Sequence, residues 1–371
     1  MKKFLIFLIV LSLFPFKCSA ENTEISEIYR EQYELSEADR LEGNLPEDTK
    51  EFLNENSIDP QNPDWVHNLT TQNVFSHIWQ FLKTGAKKPV ASSFVILAVI
   101  IASAALSGME TGDSSSVVNF ATVLSVAAVI CIPVFSCITA SVNAMQGCAV
   151  FMMAFIPVFA VIVASTGAAV TSVSMSTLLL GASQAVSFIS NFVVIPLLGG
   201  FLSISIATSV SPILTKSGIA DGIKKLAFWI MSLLTTVFIG ILSIQTAVNA
   251  SADTLATKTA KFIVGSSVPV AGAVLSEALT TITASMGMLK TSVGVYGVVA
   301  CCVIFLPLLA ELLIWKVMLV LNSIVSDLFS QTKISALLRS VDTVISVIIG
   351  IILLTCAMFV ISLSIVVNQK V

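Results

Sequence analysis

Long apolar runs separated by short polar interruptions fill the chain from residue 90 to its C-terminal end. Each run is close to the roughly 20 residues that an α-helix needs to cross the hydrocarbon core of a bilayer. Two further stretches, 184–213 and 262–288, either cross the membrane or enter it and return. The pattern predicts an all-α, polytopic membrane protein whose transmembrane bundle, residues 90–371, has about six to eight spans. The six clearest spans are residues 90–106, 117–140, 148–170, 226–247, 293–314 and 341–367.

Polar interruptions set the predicted boundaries of these spans. The stretches SVNAMQG (141–147) and STGAAVTSVS (165–174) predict breaks on either side of the third span. The stretch from Lys316 to Leu338 is amphipathic, which favours a helix lying along the membrane surface.

The first 89 residues follow a different pattern. Two lysines, an apolar run from Phe4 to Phe16 and the small residues Cys18-Ser19-Ala20 predict a signal peptide over residues 1–20. Residues 21–72 form an acidic extracytoplasmic segment, which is either a small helical module or a disordered spacer. Residues 73–89 predict an interfacial amphipathic helix, or alternatively the start of the first span.

Composition and charge support this division. Of the 371 residues 56% are apolar and 11% charged, with a mean hydropathy of +0.96, which excludes an ordinary soluble globular protein. From residue 21 to residue 65 there are 14 acidic and 3 basic side chains, whereas residues 66–371 carry 8 acidic and 13 basic ones. The lipid bilayer is therefore one expected partner, and the acidic segment is a separate region.

Prolines and glycines within the apolar runs predict broken helices. A proline removes a backbone donor and clashes one turn back, so the freed carbonyl group needs another partner. The pattern P-x-x-G-x-x-L-S occurs at 196–203 and again at 269–276, which suggests an internal repeat. Intramembrane carboxylates are costly and are functional candidates, although an exposed turn or a membrane interface would also accommodate them. The candidate helix-break or conduit residues are Pro196, Gly199, Gly200, Pro269, Gly272, Glu277, Pro307 and Glu311.

Motifs for several kinds of chemistry are missing from the sequence. It contains no H-E-x-x-H, no G-x-x-x-x-G-K-[ST] and no G-x-S-x-G. After removal of the signal peptide six cysteines remain, all within apolar runs, where they are interpreted as small buried residues. We therefore expect no enzymatic activity, no cofactor, no metal site and no nucleic-acid partner.

Several segments, in order, are similar to the stage III sporulation protein AE family of endospore-forming bacteria. Besides the signal peptide they are YELSEADRLEGNLPEDTKEFLNE (33–55), SGIADGIKKLAFWIMSLLTTVFIGILSIQ (217–245), KFIVGSSVPVAGAVLSEALTTI (261–282) and MGMLKTSVGVYGVVACC (286–302). The resemblance implies a multi-pass protein of the mother-cell membrane around the engulfed forespore. It also implies partners, namely the other stage III sporulation A-group proteins and, through the complex, stage II sporulation protein Q. The resemblance identifies no catalytic residues in this chain.

Two functional hypotheses follow. The resemblance implies a non-enzymatic component of a channel complex between mother cell and forespore, required for sporulation and late forespore gene expression. The repeated broken-helix pattern alone is compatible with a self-contained secondary transporter or ion-coupled permease, in which Glu277 would be a coupling carboxylate. The transported species, the orientation and a homo-oligomeric state are left open by the sequence.

Overall fold

A computed structural model describes most of the chain as helices. The described residues are 23–62, 65, 83, 85–109, 114–189, 192–193, 195–210, scattered helical positions between 222 and 248, and 272–367. The predicted signal peptide, residues 1–20, and most of the predicted interfacial helix lie outside them. The helices are α1 (Thr23–Leu35), a 3-10 helix (Ala38–Asn44), α2 (Glu47–Glu55), α3 (Lys87–Met109), α4 (Ser114–Ser165), α5 (Ala169–Ile189), α6 (Ile195–Val210), α7 (Gly272–Leu328) and α8 (Thr332–Val367).

The acidic segment contains a small helical module rather than a spacer without structure. Its helices α1 and α2 and the 3-10 helix between them bury Tyr29, Tyr33, Leu41 and Leu53, while most of its carboxylates remain exposed. Glu47 and Asp48 lie in the first turn of α2, where negative charge interacts favourably with the helix dipole. The segment packs mainly against α4 and α7, so its apolar side chains are buried there while its charges face outward.

The central helix α4 is longer than expected. The break predicted at 141–147 is wrong, because α4 continues through it without interruption. Ser141 donates its hydroxyl hydrogen bond to the carbonyl of Cys137 one turn back, so its polar group is satisfied inside the helix. The helix also continues through Pro133 and Pro157. The break predicted at 165–174 is confirmed only for residues 166–168, where the chain turns with Gly167 at a φ of 92°, a value that glycine adopts without strain. Residues 169–174 already belong to α5.

Helices α7 and α8 form an antiparallel hairpin. Two hydrogen bonds of 2.9 Å close the turn between them. The Ser326 hydroxyl donates to the backbone carbonyl of Gln331, and the backbone N–H of Gln331 donates to the carbonyl of Ser326. The amphipathic stretch 316–338 is therefore divided between two helices and is not one surface helix. Ile334, Leu337 and Leu338 are buried, which explains the apolar face of that stretch.

Aromatic side chains of α4 fill the interface with α7. Phe155 stacks on Phe159 with ring centroids 5.2 Å apart, and Phe151 lies 5.5 Å from Phe155 on the other side. Gly294 and Gly297 of α7 face these rings, and a Cβ atom at Gly297 would lie 2.5 Å from the Cζ atom of Phe155. Glycine therefore allows the rings of Phe155 and Phe159 to pack directly on the backbone of α7, and small residues commonly permit such close packing in membrane bundles.

Five of the described helices are long and apolar enough to cross a membrane. They are Lys87–Ala105, Phe120–Ser165, Ala169–Ile189, Ala284–Leu328 and Thr332–Val367. A shorter apolar helix occupies Thr235–Gln245. The architecture is thus that of an all-α, multi-pass membrane protein, while the total of six to eight spans stays a prediction.

Candidate conduit residues and the polar contacts of the central helices

The first copy of the repeated motif lies at the beginning of a helix. Pro196 is exposed in the first turn of α6, where a proline costs no intrahelical hydrogen bond. Gly199 and Gly200 follow within the same helix, and a Cβ atom at either glycine would meet no atom within 4 Å. This copy opens a helix, and its assignment to a conduit stays a prediction.

The second copy, residues 269–276, extends into a long helix. Pro269 lies outside the described residues, and α7 begins at Gly272, three positions later. The backbone of Glu277 is helical, but the described part of the structure does not include its side chain. The two copies therefore share a position near the first turn of a helix.

The remaining two candidates lie in the middle of α7. The helix continues through the half-buried Pro307, and the half-buried Glu311 follows one turn later. Gly85 lies against this turn, because a Cβ atom there would be 3.4 Å from the Cα atom of Glu311. The segment before α3 thus covers the backbone of α7 beside Glu311, so this carboxylate is at a contact between chain segments.

Lys316 forms an ion pair that sequence reasoning missed. Its Nζ donates to both carboxylate oxygens of Asp342 in α8, at 2.8 and 3.0 Å, and to the Ser346 hydroxyl at 2.6 Å. Ser346 in turn donates to the carbonyl of Asp342 at 2.8 Å. The side chains of Lys316 and Asp342 are 37% and 23% exposed. The charge on each helix is therefore compensated by the other, which lets both charges lie within candidate spans.

Polar contacts continue along α7 towards the hairpin turn. Asn322, which is buried, donates its side-chain amide to the Ser93 hydroxyl of α3 at 2.6 Å. Closer to the turn, Arg339 of α8 pairs with Asp327 at 2.5 Å on the exposed side. Helix α7 is thus joined to α3 and to α8 by polar side chains at successive levels.

The acidic module docks on the N-terminal part of α7. The Ser285 hydroxyl donates to the side-chain oxygen of Gln32 at 2.9 Å, and Trp65 donates its indole hydrogen to the Ser292 hydroxyl at 3.2 Å. The carbonyl of Pro60 accepts from Ser292 at 3.4 Å and from the Tyr29 hydroxyl at 2.5 Å. Residues more than 220 positions apart in the chain therefore form one interface, and no local sequence pattern indicates it.

The module also contacts α4 and contains a perturbed tyrosine. A Cβ atom at Gly147 would lie 3.5 Å from the ring of Pro46. Burial raises the pKa of the Tyr33 hydroxyl well above its usual value, and the nearby carboxylates of Asp59, Asp39 and Glu42 add to the effect. Tyr33 is therefore held neutral within an acidic neighbourhood.

Thiols are the remaining reactive groups of the bundle. Six of the seven cysteines lie among the described residues, all as free thiols, and the sulfur atoms of Cys148 and Cys301 are in contact. Among the residues that the structure describes, no group of three or more His, Cys, Asp or Glu side chains is placed to hold a metal ion.

Comparisons with known proteins found one family model and one relative that match this chain. The family model of stage III sporulation protein AE matches residues 61–369. The stage III sporulation protein AE of Bacillus subtilis (strain 168) is 28% identical over 265 residues, which are 69% of this chain and 64% of the relative. The chain thus spans less than two thirds of the length of that relative. No solved structure matches the chain significantly.

Proposed function

The chain belongs to the stage III sporulation protein AE family, and we propose that it is a non-enzymatic integral membrane component of the channel complex between the mother cell and the engulfed forespore. In this role it is required for sporulation and for late forespore gene expression. Its location is the mother-cell membrane around the forespore. Its partners are the other stage III sporulation A-group proteins and, through the complex, stage II sporulation protein Q.

The family match over most of the bundle carries the proposal. Five long apolar helices support an integral membrane location. The module's exposed carboxylates, among them Glu34, Glu42 and Glu51, support a role in partner contacts because they leave its outer surface strongly acidic.

A deletion strain with defined complementation tests the proposal. The strain is scored for heat-resistant spores and for two forespore reporters, one expressed early and one expressed late. We expect loss of spores and of the late reporter, an unchanged early reporter, and restoration by the wild-type gene. Normal sporulation of the deletion strain would refute the proposal.

The transporter alternative is favoured by one observation, the ion pair between Lys316 and Asp342 within candidate spans. Purified protein in liposomes separates the two functions. Uptake or ion flux by the protein alone that Glu277→Gln abolishes would support the transporter. An absence of flux, together with wild-type sporulation of the Glu277→Gln strain, would remove its support and leave the channel component.

A further inference from the structure

Four thiols meet where α4, α7 and α8 pack together. The Cys148 thiol of α4 donates a hydrogen bond to the sulfur of Cys301 in α7 at 3.7 Å, and both side chains are 0% exposed. The next residue along α7, Cys302, has its thiol beside that of Cys356 in α8. Adjacent positions of one helix therefore present a thiol to each of two neighbouring helices.

The sulfur atoms of Cys148 and Cys301 are in direct non-bonded contact. A disulfide bond is about 2.0 Å long, so the two sulfur atoms at 3.7 Å need to approach by roughly 1.7 Å. Met152 also touches Cys301, with 3.7 Å between the sulfur atoms, and a thioether is a soft group that can rearrange. The two thiols already face each other across the helix interface, so bond formation requires no exchange of partners.

We propose that Cys148 and Cys301 are an oxidisable pair that joins α4 covalently to α7 when local opening of their buried interface admits a low-molecular-weight disulfide. One protein thiol loses its proton and attacks the disulfide, which forms a mixed disulfide and releases one small thiol. The second protein thiol loses its proton and attacks the mixed disulfide, which releases the other small thiol. The protein loses two electrons and two protons, and the small disulfide gains both.

The bond would close a loop between residues that are 153 positions apart. Constraining so long a loop restricts the unfolded chain and stabilises the folded one. It would also prevent α4 from sliding along α7 near the contact between the Phe155 ring and Gly297. Oxidation thus changes the mechanical coupling of the two longest described helices, whatever the function of the protein.

The test treats the purified full-length protein with 2,2′-dipyridyl disulfide and digests it with trypsin under non-reducing conditions. Cleavage at lysines places Cys148 in fragment 88–216 and Cys301 in fragment 291–316. We expect the two fragments to migrate together and to separate after reduction, with two equivalents of pyridine-2-thione released per crosslink. Cys148→Ser should abolish the crosslink, whereas Cys131→Ser, a change on the same helix, should leave it intact.

Two further measurements identify which of the neighbouring thiols are joined and do so in the wild-type protein, where no substitution can cause unfolding. Mass spectrometry of the wild-type crosslink identifies the joined residues directly, and Cys302→Ser should leave that crosslink unchanged. Oxidation should raise the melting temperature of the wild-type protein and not that of Cys148→Ser. Fragments that stay separate after oxidation, or a wild-type crosslink that does not contain Cys148 and Cys301, would overturn the proposal.

Discussion

The close approach of α4 and α7 at Gly297 gives the sharpest prediction for stability. In Gly297→Ala the new methyl group would lie 2.5 and 2.7 Å from two carbon atoms of the Phe155 ring, well inside van der Waals contact. Phe155 is 0% exposed and lies between Phe151 and Phe159, so its ring has no free space to enter. The backbones must therefore move apart, or the aromatic stack must rearrange.

The expected change in the free energy of unfolding follows from two opposing effects. Overpacking of a well-filled core typically costs about 1–3 kcal/mol. Replacing glycine by alanine in a helix interior contributes about 0.8–1 kcal/mol in the other direction. We expect Gly297→Ala to lose up to about 2 kcal/mol of the free energy of unfolding.

Gly181→Ala is the matched control, because Gly181 lies within α5 and a Cβ atom there would meet nothing within 4 Å. This variant has the helical gain without the clash and should be as stable as wild type or about 0.5–1 kcal/mol more stable. Reversible unfolding in mixed detergent and SDS micelles, followed by tryptophan fluorescence, measures both variants. The difference between them should be about 1–3 kcal/mol.

A second substitution tests whether the clash with the Phe155 ring causes the loss of stability in Gly297→Ala. Phe155→Leu removes the ring atoms that the new methyl group would meet, so its combination with Gly297→Ala should cost less than the two single changes together. Equal stability of Gly297→Ala and Gly181→Ala would show that α4 and α7 do not approach as described. Strict additivity in the double variant would lead to the same conclusion.

Three further outcomes test the polar contacts. Asp342→Asn should cost about 1–3 kcal/mol, because the Lys316 ammonium loses a charged partner, and exchanging the two charges should restore part of that loss in the same unfolding assay. Trp65→Phe should remove one of the hydrogen bonds that dock the acidic module on α7 and increase its cleavage by protease, whereas unchanged cleavage would mean that this hydrogen bond does not hold the module. Burial raises the pKa of Tyr33, so the folded module favours the neutral hydroxyl. Its stabilising contribution is complete below about pH 10, the usual pKa of tyrosine, and is lost as the pH rises further. Protease resistance of the module should therefore fall above pH 10 in the wild type and less steeply in Tyr33→Phe.

Much of the architecture could be predicted from hydropathy, because crossing a bilayer requires long apolar helices whatever their packing. The turn at Gly167 was also predictable, since a glycine with positive φ ends a helix for local reasons. The break expected at 141–147 failed because polar residues alone do not end a helix. Ser141 satisfies its hydroxyl group on its own helix, and the backbone pattern continues.

The contacts of the candidate site were less predictable. The sequence around Lys316 does not indicate its partner, because only the antiparallel pairing of α7 with α8 brings Asp342 to it. The docking of the module depends on Ser285 and Ser292, which are two unremarkable serines in a chain rich in serine. Such contacts depend on tertiary structure, which no periodicity within one segment encodes.

The length of α7 has a mechanical consequence. Its 57 residues correspond to about 86 Å of helix, whereas the hydrocarbon core is about 30 Å thick. To lie wholly within that layer the helix would need to tilt by about 70° from the membrane normal, and transmembrane helices rarely tilt beyond about 40°. A straight helix of this length would exceed the thickness of the hydrocarbon core by roughly 50 Å in total, shared between its two ends. Because each end lies about 43 Å from the centre of such a helix, a change in tilt of about 5° about that centre would displace the ends by about 4 Å.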